Sequence, residues 1–239
     1  MPLRLSGSPR LTGYGYAMLT SWFALVGLTV GSLLPIANPF STAPVFVALT
    51  RRMRREHRLN QAYLACFYMA CVLLVTLVVG AVVLEFFGIS LPALRIAGGL
   101  IIARLGFNML APGPDDELTA EEQLEAEDRR DIAFTPIAMP LLSGPGSIAV
   151  TISAATEVDN ALEYVAVAVG ILLVAGASWL VLRSATRVVG YLGVSGVTVL
   201  TRLMGLVLVG IGVQFVATGF VELVTDPEIA QAIYSAYPD

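Results

Sequence analysis

The chain has 239 residues, of which 56% are hydrophobic and only 13% charged. Soluble domains sit near about 45–50% apolar and about 25% charged, so composition excludes an ordinary soluble protein and points to spans of roughly 20 apolar residues each. The net charge of −4 conceals its distribution, because residues 111–131 carry nine acids against two arginines and the rest of the chain is net +3.

Charge-free runs cover 11–50, 59–84, 132–156, 164–182 and 203–221, and a further apolar stretch at 84–112 is interrupted only by Glu85, Arg95 and Arg104. The runs predict six helices, over 14–50, 60–86, 91–111, 132–157, 161–183 and 195–223. The first run continues from Leu11 straight into the first span, which argues against a cleavable signal peptide. Its 40 residues would form a helix of about 60 Å, roughly twice the hydrocarbon core. It must therefore break or fold back, and Pro35, Pro39 and Pro44 mark where.

Orientation follows from arginine, the only strongly basic residue type used. Arg51, Arg52, Arg54, Arg55 and Arg58 lie in the first loop, and Arg129, Arg130, Arg183 and Arg187 lie in loops on the same side. Only Arg4 and Arg10 fall on the other side. The positive-inside rule then places both termini outside and the acidic linker in the cytoplasm.

Most enzymatic chemistries lack their residues. Cys66 and Cys71 are spaced for neither a redox pair nor zinc. The one histidine, His57, sits in an arginine-rich surface loop, so no HExxH site exists and a buried serine–histidine pair has no partner. P-loop and dinucleotide-binding motifs are absent as well. The reading is a non-enzyme with no cofactor, no metal and no nucleic-acid partner. Residues 51–58 serve as an orientation signal that can touch anionic lipid.

An internal repeat gives the runs a plan. P-I-A-N-P-F-S-T-A-P-V-F-V-A-L-T at 35–50 recurs as P-I-A-M-P-L-L-S-G-P-G-S-I-A-V-T at 136–151. Pro35, Pro39 and Pro44 align with Pro136, Pro140 and Pro145. F-G-I-S at 87–90 matches L-G-V-S at 192–195, and R-I-A-G-G-L-I at 95–101 matches R-L-M-G-L-V-L at 202–208. The chain divides into a tail (1–13), a three-helix repeat (14–111), an acidic linker (112–131), a second three-helix repeat (132–223) and a C-terminal tail (224–239). Three is odd, so the second repeat enters from the opposite face. The expected fold is an all-α membrane protein of six transmembrane helices in two inverted-topology repeats, each with a proline-broken first helix. In such architectures substrate binds near the midplane, on the broken helices at the repeat interface. Broken backbone at that depth survives only if buried in protein or lining a wet cavity.

The same residues resemble the MarC family of inner-membrane proteins, also described as a neutral amino acid transporter family. The resemblance rests on PxxNPxxxxPxF from Pro35 to Phe46, on PxxxPxxxGPG from Pro136 to Gly146, on R-I-A-G-G at 95–99 and on M-G-L-V-L-V-G-I-G-V-Q at 204–214. It covers about residues 17–222. It implies a six-span protein of the inner membrane that transports small neutral amino acids.

Candidate substrate-binding residues are Asn38, Pro39, Ser41, Thr42 and Pro44 in the first break, and Met139, Pro140, Ser143, Gly144, Pro145 and Gly146 in the second. The Asn38 amide can meet a substrate amino or carboxylate group, whereas its repeat partner Met139 cannot do the same. Ser41 and Thr42 can cap the following half-helix or donate to a carboxylate. The Gly144–Pro145–Gly146 turn offers backbone N–H groups. Guided by the resemblance, a pocket of such small residues suits glycine, alanine or serine. Arg95, Arg104 and Arg202 are candidates for gating or coupling. Arg95 and Arg202 read equally as bundle contacts or as side chains snorkelling to the interface, and Arg104 is expected to face a partner or a cavity. Asn108 and Gln214 are expected to bond between helices, Glu85 and Glu222 to sit at the interface, and Gly27 and Gly31 to form a close helix contact.

The expected function is a secondary transporter for small neutral amino acids, coupled to a proton or sodium gradient, lying in the bilayer and compatible with homo-oligomers. The alternatives are a channel or ion-handling protein, or a membrane scaffold without transport.

Overall fold

The computed structural model describes residues 11–111, 131–158 and 160–225. The linker 112–131 and the two tails lie almost wholly outside the described residues. Every described element is helical: α1 (Leu11–Ala37), α2 (Pro39–Leu49), α3 (Arg55–Phe87), α4 (Leu91–Leu110), α5 (Ala133–Leu142), α6 (Pro145–Thr156), α7 (Ala161–Arg183) and α8 (Ala185–Thr225). Four segments are long and apolar enough to cross a membrane alone, namely α3, α4, α7 and the Ser195–Thr225 part of α8. Two bent pairs, α1 with α2 and α5 with α6, raise the number to as many as six where each pair counts as one span.

Local chemistry sets the helix ends. Ser90 caps α4 by accepting the Ala93 N–H, and Asn160 caps α7 by accepting the Glu163 N–H at 3.0 Å. The Asn160 side-chain amide in turn donates to the Glu163 carboxylate at 2.7 Å. Gly88 ends α3 at φ 64°, with the Ile89 N–H reaching back to the Leu84 carbonyl. Its repeat partner Gly193 has the same φ of 64° and kinks α8 just before the spanning segment begins. The sequence placed 185–192 in a loop, but it is helical.

The bundle turns large apolar side chains outward, among them Val78, Val82, Phe86, Leu172, Leu203 and Leu206. In water such a surface would aggregate, and in a bilayer it faces lipid. The core combines small residues with Leu33, Phe46, Met69, Leu73, Ile102, Ile171 and Leu208. Each broken pair packs across the molecule: α1 lies on α7 and α2 on α8, while α5 lies on α3 and α6 on α3 and α4.

The frame is an antiparallel seam between α4 and α8. Pro92 faces Gly219, Gly99 faces Gly212, and Gly106 faces Gly205. Both helices repeat the contact every seven residues, as a left-handed crossing requires. A Cβ on Gly106 would lie 2.7 Å from the Gly205 carbonyl oxygen, and one on Gly212 would lie 2.6 Å from that of Gly99. Small residues here replace the hydrophobic force that lipid cannot supply. By contrast, a Cβ on Gly27 or Gly31 would meet nothing within 4 Å. The expected close contact at Gly27 and Gly31 is therefore not made among the described residues.

Candidate functional site

The first break is a single residue. Asn38 adopts φ 34° and ψ 68°, a left-handed conformation that asparagine tolerates better than most residues. Its Oδ1 accepts the Ser41 N–H at 3.3 Å, so the helix restarts at once with Pro39 in its first turn. The two half-helices meet at 41°. The hydroxyls of Ser41 and Thr42 both donate to the Asn38 carbonyl. Their oxygens are left able to accept.

The second break is longer and sharper. Met139, aligned with Asn38, has no side chain able to cap, and it is extended at φ −118° and ψ 125°. Thr135 is extended as well, and the Thr135–Pro136 and Met139–Pro140 peptide bonds are cis. Between these points α5 is wound wide, with Ile137 bonding to Ile132 and Ser143 to Ala138, five residues back. The helix restarts only at Pro145, the third proline rather than the second, and turns by 63°. Gly144 supplies no side-chain cap, and the first backbone bond of α6 runs from Ile148 to Gly144. The N–H groups of Gly146 and Ser147 thus precede the helical ladder.

The two breaks meet in one cavity of about 290 Å³. Asn38, Ser41 and Thr42 line it from the first half, and Pro140, Gly144, Pro145, Gly146 and Ser147 from the second. Ile36, Ile101, Leu105, Met109 and Leu141 form its apolar wall. Asn38 is 3% exposed, and its amide nitrogen faces only the Met109 sulfur, at 3.7 Å. A thioether is a weak acceptor, so this donor is poorly satisfied. Four expected residues do not line the cavity. Pro39 is buried and Pro44 half-buried in α2, Met139 is half-buried in α5, and buried Ser143 donates to the Ala138 carbonyl.

Ile36 and Ile102 close on Gly146 at the edge of the cavity. A Cβ on Gly146 would lie 3.0 Å from Ile102 and 3.3 Å from Ile36. One turn further along α1 and α6, beyond Leu33 and Val150, lies a second cavity of about 180 Å³. Thr29, Ser32, Thr151, Ser153 and Glu157 give it polar lining.

Arg95 is a bundle contact. It is buried, donates from Nε to the Ser153 hydroxyl at 3.0 Å, and pairs with both Glu157 and Glu222. One guanidinium thus ties α4 to α6 and α8. Arg104 and Arg202 are exposed and line neither cavity. Gln214 bonds to Thr218 one turn along its own helix rather than across to another. Glu222 is engaged by Arg95 rather than simply interfacial, while Glu85 is exposed.

Sequence reading missed three residues of this framework. Glu157 closes a span and looked like a boundary marker. Ser153 is one of several small polar residues in α6. Gln61 is 2% exposed and accepts the Ile132 N–H at 3.0 Å, anchoring the entry to α5 on α3. Its signal was a long amide inside a charge-free run.

These features define a class: a multi-pass integral membrane protein with two broken spans facing a shared internal cavity. The MarC family of integral membrane proteins matches residues 23–224. The inner membrane protein MarC of Salmonella typhimurium (strain LT2) is 40% identical over 214 residues, covering 84% of this chain and 96% of the relative. Its counterpart in Escherichia coli (strain K12) is 39% identical over the same length and shares of the chains. No solved structure matches. The chain belongs to the MarC family of inner membrane proteins.

Proposed function

We propose that the chain is a secondary transporter for small neutral amino acids such as glycine, alanine and serine, driven by a proton or sodium gradient. The observation that carries this reading is the cavity of about 290 Å³ shared by the two broken helices. Its chemistry complements a zwitterion. The Asn38 amide N–H and the free N–H groups of Gly146 and Ser147 suit a carboxylate at a half-helix N-terminus. The hydroxyl oxygens of Ser41 and Thr42, already donating to Asn38, suit an ammonium. The apolar wall leaves room for a short side chain and offers no charge to a longer polar one.

Two packing features support the inverted repeat behind this reading. The third helices of the two halves pair antiparallel through Gly99, Gly106, Gly205 and Gly212, and each broken pair lies on helices of the other half. With both termini outside the inner membrane, the cavity beside Met109 lies on the cytoplasmic side of the Ile36–Ile102 closure. The Arg95–Glu157–Glu222 cluster then lies on the outer side. Two cavities separated by one helical turn fit alternating access about a central site.

Purified protein in liposomes, given a proton or sodium gradient, is expected to accumulate labelled glycine, alanine or serine saturably. Absence of gradient-dependent uptake across such a panel overturns the reading, and sustained single-channel current in its place identifies a channel.

A further inference from the structure

Away from the central cavity, α3 and α7 run antiparallel and their ends enclose a pocket of about 630 Å³. Arg55 and Arg58 reach it from the start of α3, and Arg183 and Arg187 from the end of α7 and the start of α8. Among the described residues no carboxylate lines it, in contrast to Arg95, which has two. Four guanidinium groups gathered without an acid repel one another and favour an anion that can accept from several at once.

A second feature lies directly beneath. Along the same seam, Tyr63, Phe67, Ala70, Leu172, Gly176 and Trp179 enclose a nearly wholly apolar groove of about 260 Å³. The linings of the two sites adjoin along both helices. Leu59 lines the basic pocket and Tyr63, one turn on, lines the groove; Leu180 and Trp179 are consecutive. The Arg183 guanidinium sits over the Trp179 ring, 5.0 Å from its centre, at the junction.

We propose that this seam binds an anionic phospholipid, with the phosphate held by Arg55, Arg58, Arg183 and Arg187 and one acyl chain in the groove between α3 and α7. A free phosphate would use the arginines and leave the groove without an occupant. A zwitterionic lipid would fill the groove and supply no net charge to the arginines. An anionic phospholipid satisfies both with one molecule, and a basic pocket between helices at the membrane surface is where such a headgroup sits.

The test uses full-length protein in phosphatidylcholine nanodiscs carrying a minor fraction of phosphatidylglycerol brominated on its acyl chains. Trp22→Phe leaves Trp179 as the sole tryptophan reporter. Brominated phosphatidylglycerol is expected to quench Trp179 at mole fractions about tenfold lower than brominated phosphatidylcholine, since charge-assisted contacts are worth that or more. Arg58→Gln with Arg187→Gln should abolish this preference. Gly176→Leu fills the groove, where a Cβ would meet nothing within 4 Å, and should displace the chain and lower quenching by either lipid. Unchanged melting of each variant in pure phosphatidylcholine shows that it is folded, and should the double arginine variant not fold, Gly176→Leu decides. Equal quenching by the two lipids overturns the proposal. So does full competition by inorganic phosphate with no effect of Gly176→Leu, which would mark a simple anion site.

Discussion

The two broken helices begin from nearly the same words, P-I-A-N-P and P-I-A-M-P, and break in different ways. In the first, one asparagine takes the left-handed turn, caps the next half-helix with its own side chain and lets it start at the second proline. In the second, methionine can do neither, so the chain stays extended and the helix waits for the third proline. The first N-terminus is therefore partly satisfied from within and the second is open. Matched prolines fix that each helix breaks. The residue between them fixes how, and which half-helix keeps donors for a ligand.

The glycine seam between α4 and α8 holds both breaks still, and the largest effect should come from disturbing it. Gly106→Val would push a side chain against the backbone of α8, with Gly205 O and Val209 N each 2.7 Å from its Cβ. Backbone cannot yield as a side chain can, so a loss of about 3 kcal/mol or more, seen as collapse of folded yield in detergent, is expected. Gly27→Ala is its control and should stay within about 0.5 kcal/mol, because nothing lies near its Cβ.

The open N-terminus is tested next. Gly146→Leu would drive carbon into Ile36 and Ile102 and fill the cavity. About 1–3 kcal/mol of stability should be lost to overpacking, and uptake should fall to background. Retained uptake in a folded variant would move the site elsewhere.

Asn38 separates backbone from chemistry. Asn38→Ala loses the cap and the short polar side chain that lets asparagine tolerate the left-handed region, costing together about 1–2 kcal/mol. Asn38→Gly keeps the turn and loses only a few tenths of a kcal/mol of capping. If the amide binds substrate, both variants lose about tenfold in transport affinity, the value of one charge-assisted hydrogen bond, although only the alanine lowers the melting temperature appreciably. A glycine variant with unchanged affinity would reduce Asn38 to a hinge.

A small effect should follow from Glu157→Gln. Glu157 is 60% exposed and Arg95 keeps Glu222, so the loss should be under about 1 kcal/mol. Arg95→Gln removes the partner of both acids and should cost more, in the direction of the buried-pair range of about 3–5 kcal/mol but below it, given the exposure of both carboxylates. Chemical denaturation of the two variants side by side ranks them.

Much of this was legible beforehand. Apolar runs gave the unbroken spans, since lipid demands about 20 apolar residues in an unbroken helix. The duplicated prolines marked both breaks, and seven of the named residues do meet in one cavity: Asn38, Ser41, Thr42, Pro140, Gly144, Pro145 and Gly146. Arg95 and Arg202 were indistinguishable, because both open a third helix after the same turn. Their fates diverge through partners far along the chain: Glu157 and Glu222 hold Arg95 inside the bundle, while Arg202 is exposed. The GxxxG at Gly27 misled for the related reason that spacing alone does not say which face a neighbour occupies. The seven-residue glycine seam at 99 and 106 against 205 and 212 needed the pairing of two helices to be seen.

Sequence alone determined that this chain lives in a membrane, which apolar segments are candidates to cross it, and where two of them must break, because those follow from apolar length and from a residue that lacks an N–H. Tertiary structure decided which break is capped, which arginine is neutralised and which four are left clustered. Capping, ion pairing and cavity shape depend on atoms brought within a few ångströms by packing, and no local pattern in the chain encodes that distance.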